Sequence, residues 1–230
     1  MRNRWNPLAL GSAVQYLLVA NLAVFVLQIL LQLQQGRFLG LSVGVGWFER
    51  MFGLTPACLT FAGAGPVGQI CRFPFEIWQL GTYMFLHGGI WHIGFNMLAL
   101  WMFGSLLERI WGLRRFLYYY LFCGIGAGLT VALTASLWGG PYDQYVVTIG
   151  ASGAVLGLLT AFGVMFPNHI IYLYFMPVKA KYAVWIFGAF SLLSGISGSF
   201  AGISHWGHLG GILFGLIAMN WRVWWARLRR

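Results

Sequence analysis

Charge is what this sequence has least of. Only 8% of its 230 residues are charged, and only four are acidic. A soluble domain of this size needs about a quarter charged residues to cover its surface. Sixty per cent of the residues are hydrophobic, so the composition excludes a soluble globular fold. Its surface must face lipid, and the lipid bilayer is the first expected partner.

Cysteine is also scarce, and a processed leader is not expected. Of three cysteines, Cys58 and Cys71 fall in one predicted outer loop and Cys123 in a predicted span. In an oxidising compartment the first two would close a disulfide loop; two buried free thiols are the alternative. The first apolar run lacks a small-x-small cleavage site, which favours a retained first span over a signal peptide. We expect one domain over 1–230, with short basic tails at 1–8 and 222–230.

Six apolar segments are long enough to be transmembrane helices, which need about 20 residues. The stretch 36–87 is too interrupted by glycine, proline and charge to cross, but its aromatic residues and methionines predict an interfacial position. The sequence therefore predicts an all-α bundle of six transmembrane helices. The predicted spans are 12–34, 88–109, 115–138, 150–166, 181–200 and 204–223.

The distribution of basic residues supports the even count. With six spans both termini share one side, and eleven of the fourteen basic residues lie there. Only Arg37, Arg50 and Arg72 lie opposite. By the positive-inside rule, both termini are expected in the cytoplasm. This sorting accounts for the net charge of +10 without nucleic acid, which we do not expect as a partner.

The same topology brings polar side chains of three spans to one depth near the outer face. His92 and Asn96 are four residues apart, on one face of the second span. Ser152 lies near the outer end of the fourth span, and His205 and His208 lie near the outer end of the sixth. Each polar residue alone is explained as well by interhelical hydrogen bonding. Their shared depth favours a functional site.

Small residues beside the serine and the histidines predict close contact between the fourth and sixth spans. A serine hydroxyl becomes a useful nucleophile only when a base accepts its proton, and histidine suits that role at neutral pH. We predict Ser152 as nucleophile and His208 as base, with His205 as the less favoured alternative. The glycines of this predicted contact are Gly150, Gly153, Gly157, Gly211 and Gly215.

Attack on a carbonyl creates an oxyanion that needs preorganised donors. The backbone N–H of Ser152, with His92 and Asn96, is predicted to provide them. No acidic residue lies at this depth in a span, so the arrangement is a dyad rather than a triad. No metal or other cofactor is expected, since the spans contain no His-Glu-x-x-His and no acidic ligand. Histidines at one depth also suit haem, which leaves an electron-transfer protein as an alternative.

Several motifs, in order along the chain, resemble those of the rhomboid intramembrane serine proteases of the bacterial six-span type. They are His92-x-x-x-Asn96, Gly150-x-Ser152-Gly153 and His208-x-x-Gly211-x-x-x-Gly215. The residues Gly104, Glu108 and Gly112 are similar to the family's Gly-x-x-x-Glu-x-x-x-Gly pattern. Two positions depart from the family: Gln79 follows Trp78 where arginine is common, and Leu156 stands where many members have an aromatic residue.

The resemblance implies a nucleophile at Ser152, a base at His208, and oxyanion donors at His92 and Asn96. It implies that the loop over 36–87 dips into the membrane. It also implies that the partners are transmembrane protein substrates, cut near the outer, periplasmic face of a bacterial inner membrane. A catalytically inactive relative that binds transmembrane clients is a further alternative. The oligomeric state and the physiological substrate do not follow from the sequence.

Overall fold

The computed structural model describes residues 11–34, 45–55, 76–138, 147–173, 175–197 and 204–228. The Cys58–Cys71 prediction and the first tail lie outside these residues. Helices dominate the described chain, as the apolar segments predict. In chain order the helices are α1 (Ala13–Gln34), α2 (Trp47–Phe52), α3 (Gln79–Thr82), α4 (Ile90–Ala99), α5 (Ser105–Trp111), α6 (Leu113–Trp138), α7 (Ser152–Met165), α8 (Ala180–Ser197) and α9 (His205–Leu228).

Among the described residues, four helical segments are long and apolar enough to cross a membrane: Ala13–Gln34, Ile90–Trp111, Leu113–Ala135 and Ala180–Ser197. The helix α7 is shorter, with 14 residues. The helix α9 has 24 residues, and the structure describes only some of their side chains. The chain is thus a multi-pass helical membrane bundle, and its count of six spans stays a prediction.

The second predicted span is not one uninterrupted α-helix. A π-helical turn, Leu100–Gly104, separates α4 from α5. Such turns insert one extra residue and rotate the side chains on either side of them. Hydropathy does not report this change, because every residue in the turn fits an apolar span.

In the part of the chain that the structure describes, one β-hairpin departs from the all-α prediction. The strands β1 (Ile170–Leu173) and β2 (Met176–Lys179) pair antiparallel between α7 and α8. The register runs from Ile170 opposite Lys179 to Leu173 opposite Met176. The predicted spans leave 167–180 as a connection without strands, so the hairpin is a feature that the sequence patterns did not indicate.

The helix α7 lies at the centre of the bundle. Every residue from Gly153 to Gly163 is buried, and α7 packs against both α6 and α9. The first turn of α7 therefore sits where three helices meet. The segment just before it is also fixed, because Leu54 and Thr148 exchange two main-chain hydrogen bonds of 2.9 Å.

Candidate functional site

The predicted nucleophile and base are in direct contact. Ser152 Oγ lies 2.8 Å from His208 Nε2, a hydrogen bond that joins the first turn of α7 to the first turn of α9. The two residues are 56 positions apart, and both side chains are partly buried. This pairing places a hydroxyl next to an imidazole nitrogen, which is the geometry that general-base activation requires.

Glycines make that approach possible. A Cβ on Gly211 would collide with the carbonyl oxygen of Gly153. A Cβ on Gly215 would lie 3.2 Å from Gly157 Cα, and one on Gly157 would lie 2.5 Å from Cys123 Cβ. The helices α7 and α9 therefore cross with their backbones in contact, as the small-residue pattern predicts.

A tyrosine that sequence analysis did not single out joins the same two helices. The Tyr119 hydroxyl, on α6, lies 2.8 Å from the carbonyl oxygen of Gly157 and 3.3 Å from that of Gly215. It is almost fully buried, and its one proton is shared between the two acceptors. Tyr119 lies in an aromatic run, Tyr118–Tyr120, and nothing in its spacing marks it as different from its neighbours.

His92 is held in one orientation beside the serine. Its Nδ1 accepts a hydrogen bond of 3.2 Å from the N–H of Gly88. In a neutral imidazole the proton is then on Nε2. A Cβ on Gly150 would lie 2.6 Å from that Nε2 atom, so the N–H of His92 faces the main chain two residues before Ser152.

Gly150 has to be a glycine for two reasons. Its φ of +125° lies in the region that side chains disfavour. A side chain would also fill the space in front of His92 Nε2. Glycine at this position therefore keeps the space in front of His92 Nε2 open.

Asn96 lies one turn along α4 from His92 and is buried. Its Nδ2 donates a hydrogen bond of 2.9 Å to the carbonyl oxygen of His92. This bond uses one of the two amide hydrogens and fixes the side chain. The second hydrogen is the one that the predicted oxyanion role requires.

His205 lies on the same helix as His208, one turn earlier. The two rings are 6.4 Å apart and nearly perpendicular, and His205 also packs against Phe190 at 6.1 Å. The hydrogen bond to Ser152 belongs to His208, and the role of His208 as base stays a prediction. Leu156, which stands where many family members have an aromatic residue, is buried in the core of the bundle. The aromatic ring near His208 is instead that of His205.

Gln79, the other departure from the family pattern, anchors the first loop. It is 1% exposed. Its Nε2 donates to the carbonyl oxygens of Arg50 and Met51 at 3.2 and 3.3 Å. Its Oε1 accepts from the N–H and hydroxyl of Thr55 at 3.3 and 3.0 Å. An uncharged amide thus binds the end of α2 and the segment that follows it.

Glu108 has a structural role that the sequence did not reveal. Its two carboxylate oxygens accept hydrogen bonds from the N–H groups of Ala13 and Val14, at 2.6 and 3.0 Å. These are the first two residues of α1, whose N–H groups have no partner within the helix. A carboxylate also interacts favourably with the positive end of the helix dipole. The end of the second predicted span therefore caps the start of the first.

Comparison with known proteins agrees with this architecture. The chain matches the rhomboid domain family over residues 74–225, which is more than half of its length. The matched range contains all the predicted site residues. It excludes α1 and α2.

Three relatives illustrate the similarity. Rhomboid protein 1, mitochondrial, of Saccharomyces cerevisiae is 33% identical over 191 residues, which are 78% of this chain and 50% of that protein. Rhomboid protease GluP of Bacillus subtilis is 35% identical over 144 residues, 62% of this chain and 25% of that protein. Rhomboid protease AarA of Providencia stuartii is 28% identical over 158 residues, 61% of this chain and 54% of that protein.

The chain spans about half or less of the length of these relatives. The likeness therefore concerns the helical membrane domain rather than their whole length. Within that domain, the family match and the helical bundle agree. The chain belongs to the rhomboid family of multi-pass membrane proteins.

Proposed function

We propose that this protein is an intramembrane serine endopeptidase that cleaves transmembrane protein substrates through a Ser152–His208 dyad. The observation that carries the proposal is the 2.8 Å hydrogen bond between Ser152 Oγ and His208 Nε2. Two of the relatives described above are named as rhomboid proteases, which supports the same reaction class.

The proposed reaction starts with proton transfer. His208 takes the hydroxyl proton as Ser152 Oγ attacks the substrate carbonyl carbon, and the carbonyl oxygen becomes an oxyanion. His208 then gives the proton to the leaving amine as the peptide C–N bond breaks, which leaves an acyl-enzyme. A water molecule attacks the ester, His208 accepts its proton and returns it to Ser152 Oγ, and the acid product departs.

Three N–H groups are suited to the oxyanion. Ser152 is the first residue of α7, so its own N–H has no partner within that helix and lies at the positive end of the helix dipole. The Nε2–H of His92 faces Gly150, and Asn96 retains one amide hydrogen. Donors of this kind each contribute on the order of 3 kcal/mol to the transition state.

The length of α7 supports hydrolysis below the membrane surface. Its 14 residues span about 21 Å, whereas the hydrocarbon core is about 30 Å thick. A helix of this length that reaches one edge of the core stops roughly 9 Å short of the other. Ser152 at its first residue would then lie within the membrane.

The proposed location is a bacterial inner membrane, with both termini in the cytoplasm and the site open to the periplasmic side. The basic residues support this orientation, because eleven of fourteen fall on the side of the termini. Single cysteines introduced at residues 2 and 228 of a cysteine-free variant test it. Labelling of either by a membrane-impermeant maleimide in intact cells would contradict the proposed orientation.

The reaction is tested by labelling detergent-purified protein with a fluorophosphonate, which reacts with activated serines. Ser152→Ala should abolish labelling, whereas Ser191→Ala should not. Ser191 is a suitable control because it is a buried serine of a membrane-spanning helix, 1% exposed. Cleavage of a transmembrane reporter protein by the wild type and not by Ser152→Ala would extend the result to peptide bonds.

Two outcomes would overturn the proposal. Absence of labelling and of reporter cleavage, with the reporter still bound, would favour an inactive relative that binds transmembrane clients. Absence of labelling with a haem absorption band in the purified protein would favour the electron-transfer alternative.

A further inference from the structure

A buried network of hydrogen bonds connects the first helix with the proposed oxyanion site. Its members belong to α1, α2, the segment before α4 and α4 itself. Four side chains contribute: Gln28, Gln32, Glu49 and His92. Gln28 is fully buried and Glu49 is 1% exposed. Burial of polar groups away from water costs folding free energy unless hydrogen bonds satisfy them.

Glu49 forms the outer end of the network. One carboxylate oxygen accepts a hydrogen bond of 3.1 Å from Gln28 Nε2. The other accepts bonds from the N–H of Gly46 at 2.7 Å and from Gln32 Nε2 at 3.3 Å. An ionised carboxylate only accepts hydrogen bonds, so Glu49 determines which end of the Gln28 amide faces it.

In this orientation, the Gln28 amide forms hydrogen bonds with the segment before α4. Its Oε1 accepts from the N–H of His87 at 3.0 Å, and its Nε2 also lies 3.4 Å from the carbonyl oxygen of His87. One amide thus binds both main-chain groups of one residue. Since His87 is fully buried, bulk water does not compete for these groups.

The next residue along the chain makes the connection to His92. The N–H of Gly88 donates to His92 Nδ1 at 3.2 Å. This bond requires a lone pair on Nδ1 and therefore a proton on Nε2, the atom that faces Gly150. In the other tautomer, Nε2 would present a lone pair, and an oxyanion would be repelled rather than stabilised.

We propose that Gln28 and Glu49 are positioning residues that keep His92 in its donating tautomer by fixing the main chain at His87 and Gly88. The proposal rests on the oxyanion role of His92 in the proposed function. It assigns a role to α1 and α2, neither of which lies in the range matched by the family.

The principal test compares Gln28→Met with Asn21→Leu. Methionine keeps the length of glutamine and removes its amide. Asn21 is a matched control because it is fully buried on the same helix, two turns away, and its Nδ2 bonds to the carbonyl oxygen of Leu17 within α1. Gln28→Met should lower kcat for a transmembrane reporter by about 10- to 100-fold at unchanged KM, since one oxyanion donor is worth on the order of 100-fold or more. Asn21→Leu should stay within about twofold of the wild type.

A double variant separates positioning from general damage to the fold. If Gln28 acts through His92, then Gln28→Met should lower kcat little further when His92 is already alanine. Glu49→Gln, which keeps the shape of the side chain, should show the same dependence on His92. Multiplicative losses in either double variant would overturn the proposal.

The tautomer itself provides a readout that needs no activity. Nitrogen spectra of 15N-histidine-labelled protein, assigned with His92→Ala, should show His92 protonated at Nε2 in the wild type and a mixture of tautomers in Gln28→Met. An unchanged tautomer in Gln28→Met would refute the positioning role. A wild type that does not react with the fluorophosphonate, but whose His92 tautomer depends on Gln28, would refute the proposed function and leave the network intact.

Discussion

Gly211→Ala should separate the two helices that carry the proposed dyad. The added Cβ would collide with the carbonyl oxygen of Gly153, which belongs to the main chain and has no alternative rotamer. Restoring ordinary contact requires α7 and α9 to move apart by about 1 Å. Overpacking of this kind costs about 1–3 kcal/mol of folding free energy.

The catalytic effect should exceed the effect on stability. The Ser152–His208 hydrogen bond is 2.8 Å long, and an increase of about 1 Å takes it beyond hydrogen-bonding distance. A misplacement of that size in a reacting pair costs on the order of 100-fold in rate. We therefore expect fluorophosphonate labelling of Gly211→Ala to be at least about 100-fold slower than that of the wild type.

Gly188→Ala is the matched control. A Cβ at Gly188 would lie 3.7 Å from Ile212 Cδ1, an ordinary contact. In the middle of α8, alanine in place of glycine should raise the free energy of unfolding by about 0.5–1 kcal/mol and leave labelling unchanged. Wild-type labelling and thermal stability in Gly211→Ala would refute the proposed backbone contact between α7 and α9.

Two further perturbations test groups away from the dyad. Glu108→Gln should lower the free energy of unfolding by about 1–2 kcal/mol. The reason is that an amide has one acceptor oxygen for the two N–H groups that the carboxylate binds. Equal thermal unfolding of the variant and the wild type would contradict the capping role of Glu108. Burial, followed by the electrostatic effect of the nearby His92 ring, lowers the pKa of His87 to about 3. As pH falls below about 6.5, His87 therefore binds a proton in the unfolded chain but not in the folded one. The free energy of unfolding should therefore fall by about 2 kcal/mol between pH 6.5 and 5 in the wild type, and this fall should be absent in His87→Gln. The same dependence of thermal unfolding on pH in both proteins would count against this effect of His87.

The parts of the structure that depend on local composition were predictable. Helix α1 begins and ends within one residue of the predicted span, because hydropathy changes abruptly at its ends. The approach of Ser152 to His208 was also predictable. It followed from two helices with small residues and matched depth, which are properties of the sequence.

The parts that depend on partners from distant segments were not predictable. The sequence shows that Glu108 ends a span, but not that its carboxylate reaches the first residues of α1. Tyr119 contacts two carbonyl oxygens on other helices, and no spacing rule identifies such acceptors. One signal was present and unused: Asn21, Gln28 and Gln32 are costly polar residues at spacings of seven and four, on one face of an apolar span.

Glu108 is synthesised some 95 residues after the N–H groups that it binds. Until then the N–H groups of Ala13 and Val14 depend on water or lipid head groups for hydrogen bonds, whereas the N–H groups of Gln15 and Tyr16 are bonded locally to Ser12. The carboxylate replaces those transient partners only when the second span is complete. A nascent chain arrested between the two predicted spans contains the whole of α1 and still lacks the carboxylate that binds the N–H groups of Ala13 and Val14.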